Sequence, residues 1–142
     1  MTFLRRKTTA RIILHHSASN RSTTFDEIEA WHLQRGFQAI GYHYVIERGS
    51  VIPGRPDWAW GAHARGANFD SIGICLVGDN TDPQENWLPE QVLMARLLIR
   101  ELGCKYPGLE LYGHCDVGTT ATLCPGLKRA QLLQMLISVG SV

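Results

Sequence analysis

The order of hydrophobic segments predicts an α/β (α+β) fold, a single mixed central β-sheet flanked by helices. Three observations lead there. Short apolar runs of strand length alternate with stretches of helical periodicity, in the order strand, helix, hairpin, strand, helix, strand, helix. One run, Ile72-Gly73-Ile74-Cys75-Leu76-Val77, is apolar at consecutive positions, as a strand covered on both faces requires. The chain has 142 residues, 44% apolar and 19% charged, enough for one hydrophobic core. A single domain spanning 1–142 is expected, with residues 1–9 as a solvated N-terminal arm.

Ile12 to Leu14 reads as a buried strand. Thr24-Phe25-Asp26-Glu27 fits a capping box, Thr24 at the N-cap and Glu27 three residues on. The helix it opens should run to about Arg35 and stop at Gly36, with Phe25, Ile28 and Trp31 inward. Tyr42 to Ile46 and Val51-Ile52 form a hairpin about the turn Arg48-Gly49-Ser50. Pro53 to Asn68 is a long irregular segment rich in Gly, Ala, Trp and His; loops of that length usually serve function. Ile72 to Val77 is the expected central strand, and Asp79 to Trp87 a polar loop. Pro89 suits the first turn of a helix reaching about Leu102, with Gly103 as its stop and Val92, Ala95, Ile99 and Leu102 buried. Leu109 to Tyr112 is a further strand. A last amphipathic helix runs from Leu127 to about Val139, with Leu132, Leu133, Leu136 and Ile137 inward.

The net charge of +1 gives no field suited to nucleic acid, so no nucleic-acid partner is expected. Arg5-Arg6-Lys7 is a short basic cluster on the arm. No run of 18 apolar residues occurs and no apolar h-region follows the first basic residues, so neither stable membrane association nor a secretory signal is expected. The chain should be cytoplasmic on synthesis. The four cysteines are scattered, as expected of thiols rather than a disulfide framework, and Cys75 reads as inert core.

Three residues able to hold a soft dication stand at the ends of strands or in a Gly/Pro-marked loop: His15, His114 and Cys124. Two imidazoles and a thiolate are three zinc ligands that leave a fourth position for water, the mark of a catalytic rather than a structural site. Neighbours on a strand point to opposite faces, so only one of His15 and His16 can face such a site. Spacing does not choose between them, nor between Cys115 and Cys124. His32, within the first helix, reads as an ordinary surface or core histidine, and His43 as structural.

A resemblance makes the choice. Ile13-Leu14-His15-His16-Ser17-Ala18-Ser19 resembles the first-ligand strand of zinc-dependent N-acetylmuramoyl-L-alanine amidases. Gly41-Tyr42-His43-Tyr44-Val45-Ile46 resembles that family's hairpin. Gly61-Ala62-His63-Ala64-Arg65-Gly66-Ala67-Asn68, followed by Ser71 to Gly78, resembles its central loop and strand. Gly113-His114-Cys115-Asp116-Val117 and Cys124-Pro125-Gly126 resemble its second and third ligand segments. The motifs occur in the family's order over residues 10 to 138, nearest to the short amidases of tailed phages; animal peptidoglycan recognition proteins share the fold. The resemblance implies one Zn²⁺ per chain on His15, His114 and Cys124, with Tyr42 as the active-site tyrosine and Thr122 as a second donor. It implies bacterial peptidoglycan as partner, an endolysin that acts on the wall after release, and a monomer. His63, Arg65 and Trp60 are expected to touch substrate, and Arg55 or Arg65 to pair with a stem-peptide carboxylate. Two other uses of the fold stand beside this one: a module that binds peptidoglycan without cutting it, and a cytosolic amidase recycling muropeptides. The latter's relatives carry Asp at the third-ligand position and have longer chains.

Overall fold

The computed structural model describes residues 2–137. Five strands, β1 (Arg11–His16), β2 (Tyr44–Glu47), β3 (Ser50–Pro53), β4 (Ser71–Leu76) and β5 (Glu110–Gly113), form one sheet in the order β3-β2-β4-β1-β5. β2, β4, β1 and β5 run parallel, and β3 returns antiparallel through a turn at Arg48 and Gly49. Three helices pack on it: α1 (Phe25–Gln34), α2 (Pro89–Lys105) and α3 (Arg129–Leu136). The expected mixed, helix-flanked sheet is thus present.

Alternation along the central strands divides the core. Ile12, Leu14, Ile72, Ile74, Leu76 and Leu111 pack against α2 and α3. On the opposite face, Val45, Cys75 and Val77 meet Ile28 of α1, while Ile13 meets Ala64 and Ala67 of the long loop. His15 follows Ile13 by two and therefore shares this second face, paired in register with Cys75. Burying a histidine there is costly unless its polar atoms are satisfied, so this face needs a polar constellation around it.

Local chemistry explains most boundaries. Thr24 accepts from Glu27 N at 3.2 Å and Glu27 Oε1 accepts from Thr24 N at 3.2 Å, completing the capping box. At the start of α2, Gln91 is buried; its Oε1 accepts from Leu88 N, and its amide nitrogen donates to Ile46 O and Val77 O, tying the helix to two strand ends.

The structure corrects five details. Trp31 is 42% exposed, because α1 buries Ile28 and His32, one turn apart, and leaves Trp31 on the flank. α2 continues through Gly103 to Lys105, whose ammonium is held by Asp57 at 2.9 Å. β2 begins at Tyr44 rather than Tyr42, although His43 N still donates to Gly73 O at 2.9 Å. α3 starts at Arg129; Ile137 is exposed after its end, and Val139 lies outside the described residues. The arm is exposed at most of its described positions but anchored, and Arg6 is buried rather than solvated: Trp60 N donates to Leu4 O, Arg6 N to Trp58 O, and the Arg6 guanidinium donates to Thr9 Oγ1 and to the carbonyls of Asp57 and Ala59.

Candidate metal centre and active-site cleft

His15 is the fifth residue of β1, on the α1 face and 1% exposed. His114 follows directly on β5, where the chain turns into one 3₁₀ turn. Cys124 is brought back to both by a loop pinned through Cys115 N to Cys124 O at 2.7 Å and Asn80 Nδ2 to Pro125 O at 2.8 Å. One ligand atom from each of His15, His114 and Cys124 lies within 4.8 Å of the others. Cys124 Sγ is 3.6 Å from His15 Nδ1 and accepts from His16 N at 3.4 Å. His16 itself turns away, its Nδ1 accepting from Asn80 N at 3.1 Å. Cys115 is exposed and its thiol points to Leu127 O. The alternatives that spacing left open are therefore arranged as one converging set and two diverging side chains.

The donor set fits zinc. Two imidazoles and a thiol match its preferences, with three protein ligands as in catalytic sites. Burial, then the neighbouring His114, holds His15 well below the usual imidazole range, so it stays neutral, the ligating form. Burial also lowers His114, whose Nε2 is buried without a hydrogen-bond partner among the described residues. Such orphaned atoms are rare unless an ion or water takes them. Burial pushes the Cys124 thiol up to about 12, so a thiolate there at neutral pH needs a cation beside it.

These residues line a cleft of about 770 Å³, together with His32, Arg35, Phe37, Tyr42, His63, Arg65, Asn68 and Thr122. Tyr42 packs against the His15 ring with centroids 5.0 Å apart. Burial, with Cys75 and Cys124 nearby, pushes its phenol well above the usual range, so it remains protonated. Thr122 Oγ1 accepts from Cys124 N at 3.1 Å, shaping the turn that delivers the thiol.

Residues 5–127 match the family model described as N-acetylmuramoyl-L-alanine amidase. The chain belongs to the N-acetylmuramoyl-L-alanine amidase family. It is 42% identical over 135 residues to the endolysin of Enterobacteria phage T3, covering 89% of this chain and 88% of that one. It is 35% identical over 127 residues to peptidoglycan-recognition protein SC2 of Drosophila melanogaster, covering 80% of this chain and 66% of that one. Among solved structures, the endolysin amidase LysCS from Clostridium intestinale URNW superposes with a TM-score of 0.83 at 32% identity, over 94% of this chain and 86% of that one.

The amidase does not bring every expected residue to the cleft. Trp60 is 40% exposed and lies outside it, held toward the arm by its bond to Leu4. Arg55 is buried, with Nε on Ile40 O at 2.8 Å, and so is committed to the backbone rather than to substrate. Arg65 stands exposed at the rim. His63 lines the cleft but is buried, its Nδ1 2.8 Å from His15 Nε2. His43 is structural as expected: Gly73 N donates to its Nδ1 at 2.9 Å and its Nε2 reaches Ala59 O at 2.7 Å. Sequence reading does not single out the cleft residues His32, Arg35, Phe37 and Asn68. For His32 the usable signal is its one-turn spacing from Ile28.

Proposed function

We propose that this amidase is a phage-type endolysin that holds one zinc ion per chain on His15, His114 and Cys124 and works on bacterial peptidoglycan. The observation carrying the reading is the convergence of those three donors within 4.8 Å on the wall of an extended cleft. The reaction hydrolyses the amide between the lactyl carbonyl of N-acetylmuramic acid and the nitrogen of L-alanine, so an oxyanion must be stabilised and a leaving amine protonated. When bound, zinc supplies Lewis-acid polarisation of a carbonyl and acidification of water.

The chain's own residues supply the rest. Tyr42, kept as a phenol by burial, donates a hydrogen bond to the oxygen on which charge develops. Thr122 accepts from Cys124 N, and its hydroxyl proton remains for a second donation into the cleft. Arg35 and Arg65 line the cleft with cations that suit the carboxylates of a stem peptide. Among the described residues no helix is long and apolar enough to cross a membrane. The similarity to phage endolysins supports action on the wall after release. It acts as a monomer.

Digestion of purified sacculi followed by mass spectrometry, with metal analysis of the same preparation, tests this. Free stem peptides beginning at L-alanine and about one zinc per chain are expected, both lost in Cys124→Ala. Activity that survives Cys124→Ala, or binding to sacculi without cleavage, overturns it.

A further inference from the structure

We infer that Ser71 and His63 form a positioning relay that sets which nitrogen of His15 carries its proton, so that His15 presents the Nδ1 lone pair to the metal site. The consequence for zinc rests on the reading above; the tautomer itself follows from a hydrogen-bond chain that has one consistent direction.

The chain begins at a group that can only accept. Ser71 Oγ lies 2.6 Å from Ala67 O, so the serine hydroxyl spends its one hydrogen on that carbonyl. Ser71 Oγ also lies 3.3 Å from His63 Nε2, and with its hydrogen used it can only accept there. The His63 proton is therefore on Nε2. A neutral imidazole has one N–H, so His63 Nδ1 is an acceptor. His15 Nε2 stands 2.8 Å from it and must donate. That leaves the proton of His15 on Nε2 and its lone pair on Nδ1, the atom 3.6 Å from Cys124 Sγ. Ser71 is fully buried, and His15 and His63 are nearly so, which leaves bulk water little access to these contacts. The reverse arrangement sets a His63 Nε2 lone pair against a hydroxyl oxygen with no hydrogen to give, and places an N–H of His15 where the ion must sit.

The His63 ring is also built in. A Cβ on Gly73 would lie 2.5 Å from His63 Cγ, and one on Gly61 would lie 2.5 Å from His63 Cδ2, so glycine at both positions makes the slot for the ring. Asn68 Oδ1 accepts from the backbone N–H of both His63 and Ala64 at 2.9 Å, holding the loop that carries it. In this relay Ser71 and His63 act through His15 rather than on the reacting atoms. Partners of metal-bound histidines typically fix ring tautomer and orientation, and losing one costs about 10–100-fold in metal affinity.

The first test uses the unaltered protein freed of metal, at neutral pH. Long-range proton–nitrogen NMR of the imidazoles should show His15 and His63 both protonated at Nε2; a His15 proton on Nδ1 overturns the relay. The second uses Ser71→Ala, which removes the acceptor for His63 and releases the direction of the chain. Its zinc Kd, from chelator competition, should weaken about 10–100-fold, and the metal-free His15 should show a mixture of tautomers. A zinc Kd within twofold of the parent, with His15 still wholly Nε2-protonated, overturns the proposal. Should Ser71→Ala fail to fold, the NMR of the unaltered chain still decides. Should the unaltered chain bind no zinc, the zinc reading falls, and the tautomer measurement still decides the relay.

Discussion

Alanine at Gly73 and at Gly103 is the same chemical change with opposite expected sign. At Gly73 the added Cβ would lie 2.5 Å from His63 Cγ, 2.6 Å from Nδ1 and 2.7 Å from Cδ2. Carbon atoms in contact sit about 3.5–4.0 Å apart, so the ring must retreat by about 1 Å. Retreat breaks the 2.8 Å bond to His15. Overpacking of this kind costs about 1–3 kcal/mol. Replacing glycine in a strand interior returns about 0.5–1 kcal/mol, leaving a net loss of up to about 2.5 kcal/mol. At Gly103, inside α2, no atom lies within 4 Å of the new Cβ. There the substitution should stabilise by about 0.5–1 kcal/mol, the helix propensity difference. Urea unfolding of the metal-free proteins measures both, with zinc Kd by competition alongside. Gly73→Ala should also weaken zinc about tenfold or more, as loss of a histidine's supporting bond does, while Gly103→Ala leaves it unchanged. If Gly73→Ala unfolds at the parent's midpoint and binds zinc equally well, the packing of His63 against Gly73 has been misjudged.

Two further outcomes follow from the same structure. Tyr42→Phe should lower kcat about 10²–10³-fold, the scale for loss of one oxyanion donor, with zinc content and folding unchanged; full activity would remove Tyr42 from the reaction. Burial alone would raise the Asp57 pKa, but hydrogen bonds from Lys105, Tyr106 and Tyr44 outweigh it and hold the carboxyl below its ordinary value. Because the folded pKa is depressed, this stabilisation is complete above the unfolded value near 4 and fades as pH falls through the lower folded value. Asp57→Asn should therefore cost about 1–2 kcal/mol at pH 7, and the gap to the parent should close toward pH 2, as read by urea unfolding at several pH values.

Much of this architecture was legible in the amino-acid order. The capping box at Thr24 and Glu27, the hairpin turn at Arg48 and Gly49, and the doubly buried run from Ile72 depend on neighbours in sequence, and local chemistry determined them. Trp31 and Gly103 misled because their roles depend on what packs beside them. α1 turns Ile28 and His32 inward, and α2 is carried past Gly103 toward the Lys105–Asp57 pair. At the site, His15, His114 and Cys124 could be named by residue type and strand-end position, but choosing His15 over His16 and Cys124 over Cys115 took family resemblance. The part played by Ser71 was illegible because it depends on one carbonyl four residues earlier and one ring eight residues earlier, and no spacing rule encodes that geometry. His63 reads as a substrate contact from its place in an aromatic loop, and it does line the cleft; its 2.8 Å contact with His15 and the two glycines against its ring depend on packing that the sequence does not display.

X-ray absorption at the zinc edge of the purified amidase addresses the shared ion most directly. The account predicts one zinc per chain, with a single sulfur at about 2.3 Å and two imidazole nitrogens at about 2.0–2.1 Å; the sulfur signal should vanish in Cys124→Ser and persist in Cys115→Ser. A first shell without sulfur, or one that loses its sulfur with Cys115 rather than Cys124, would contradict it.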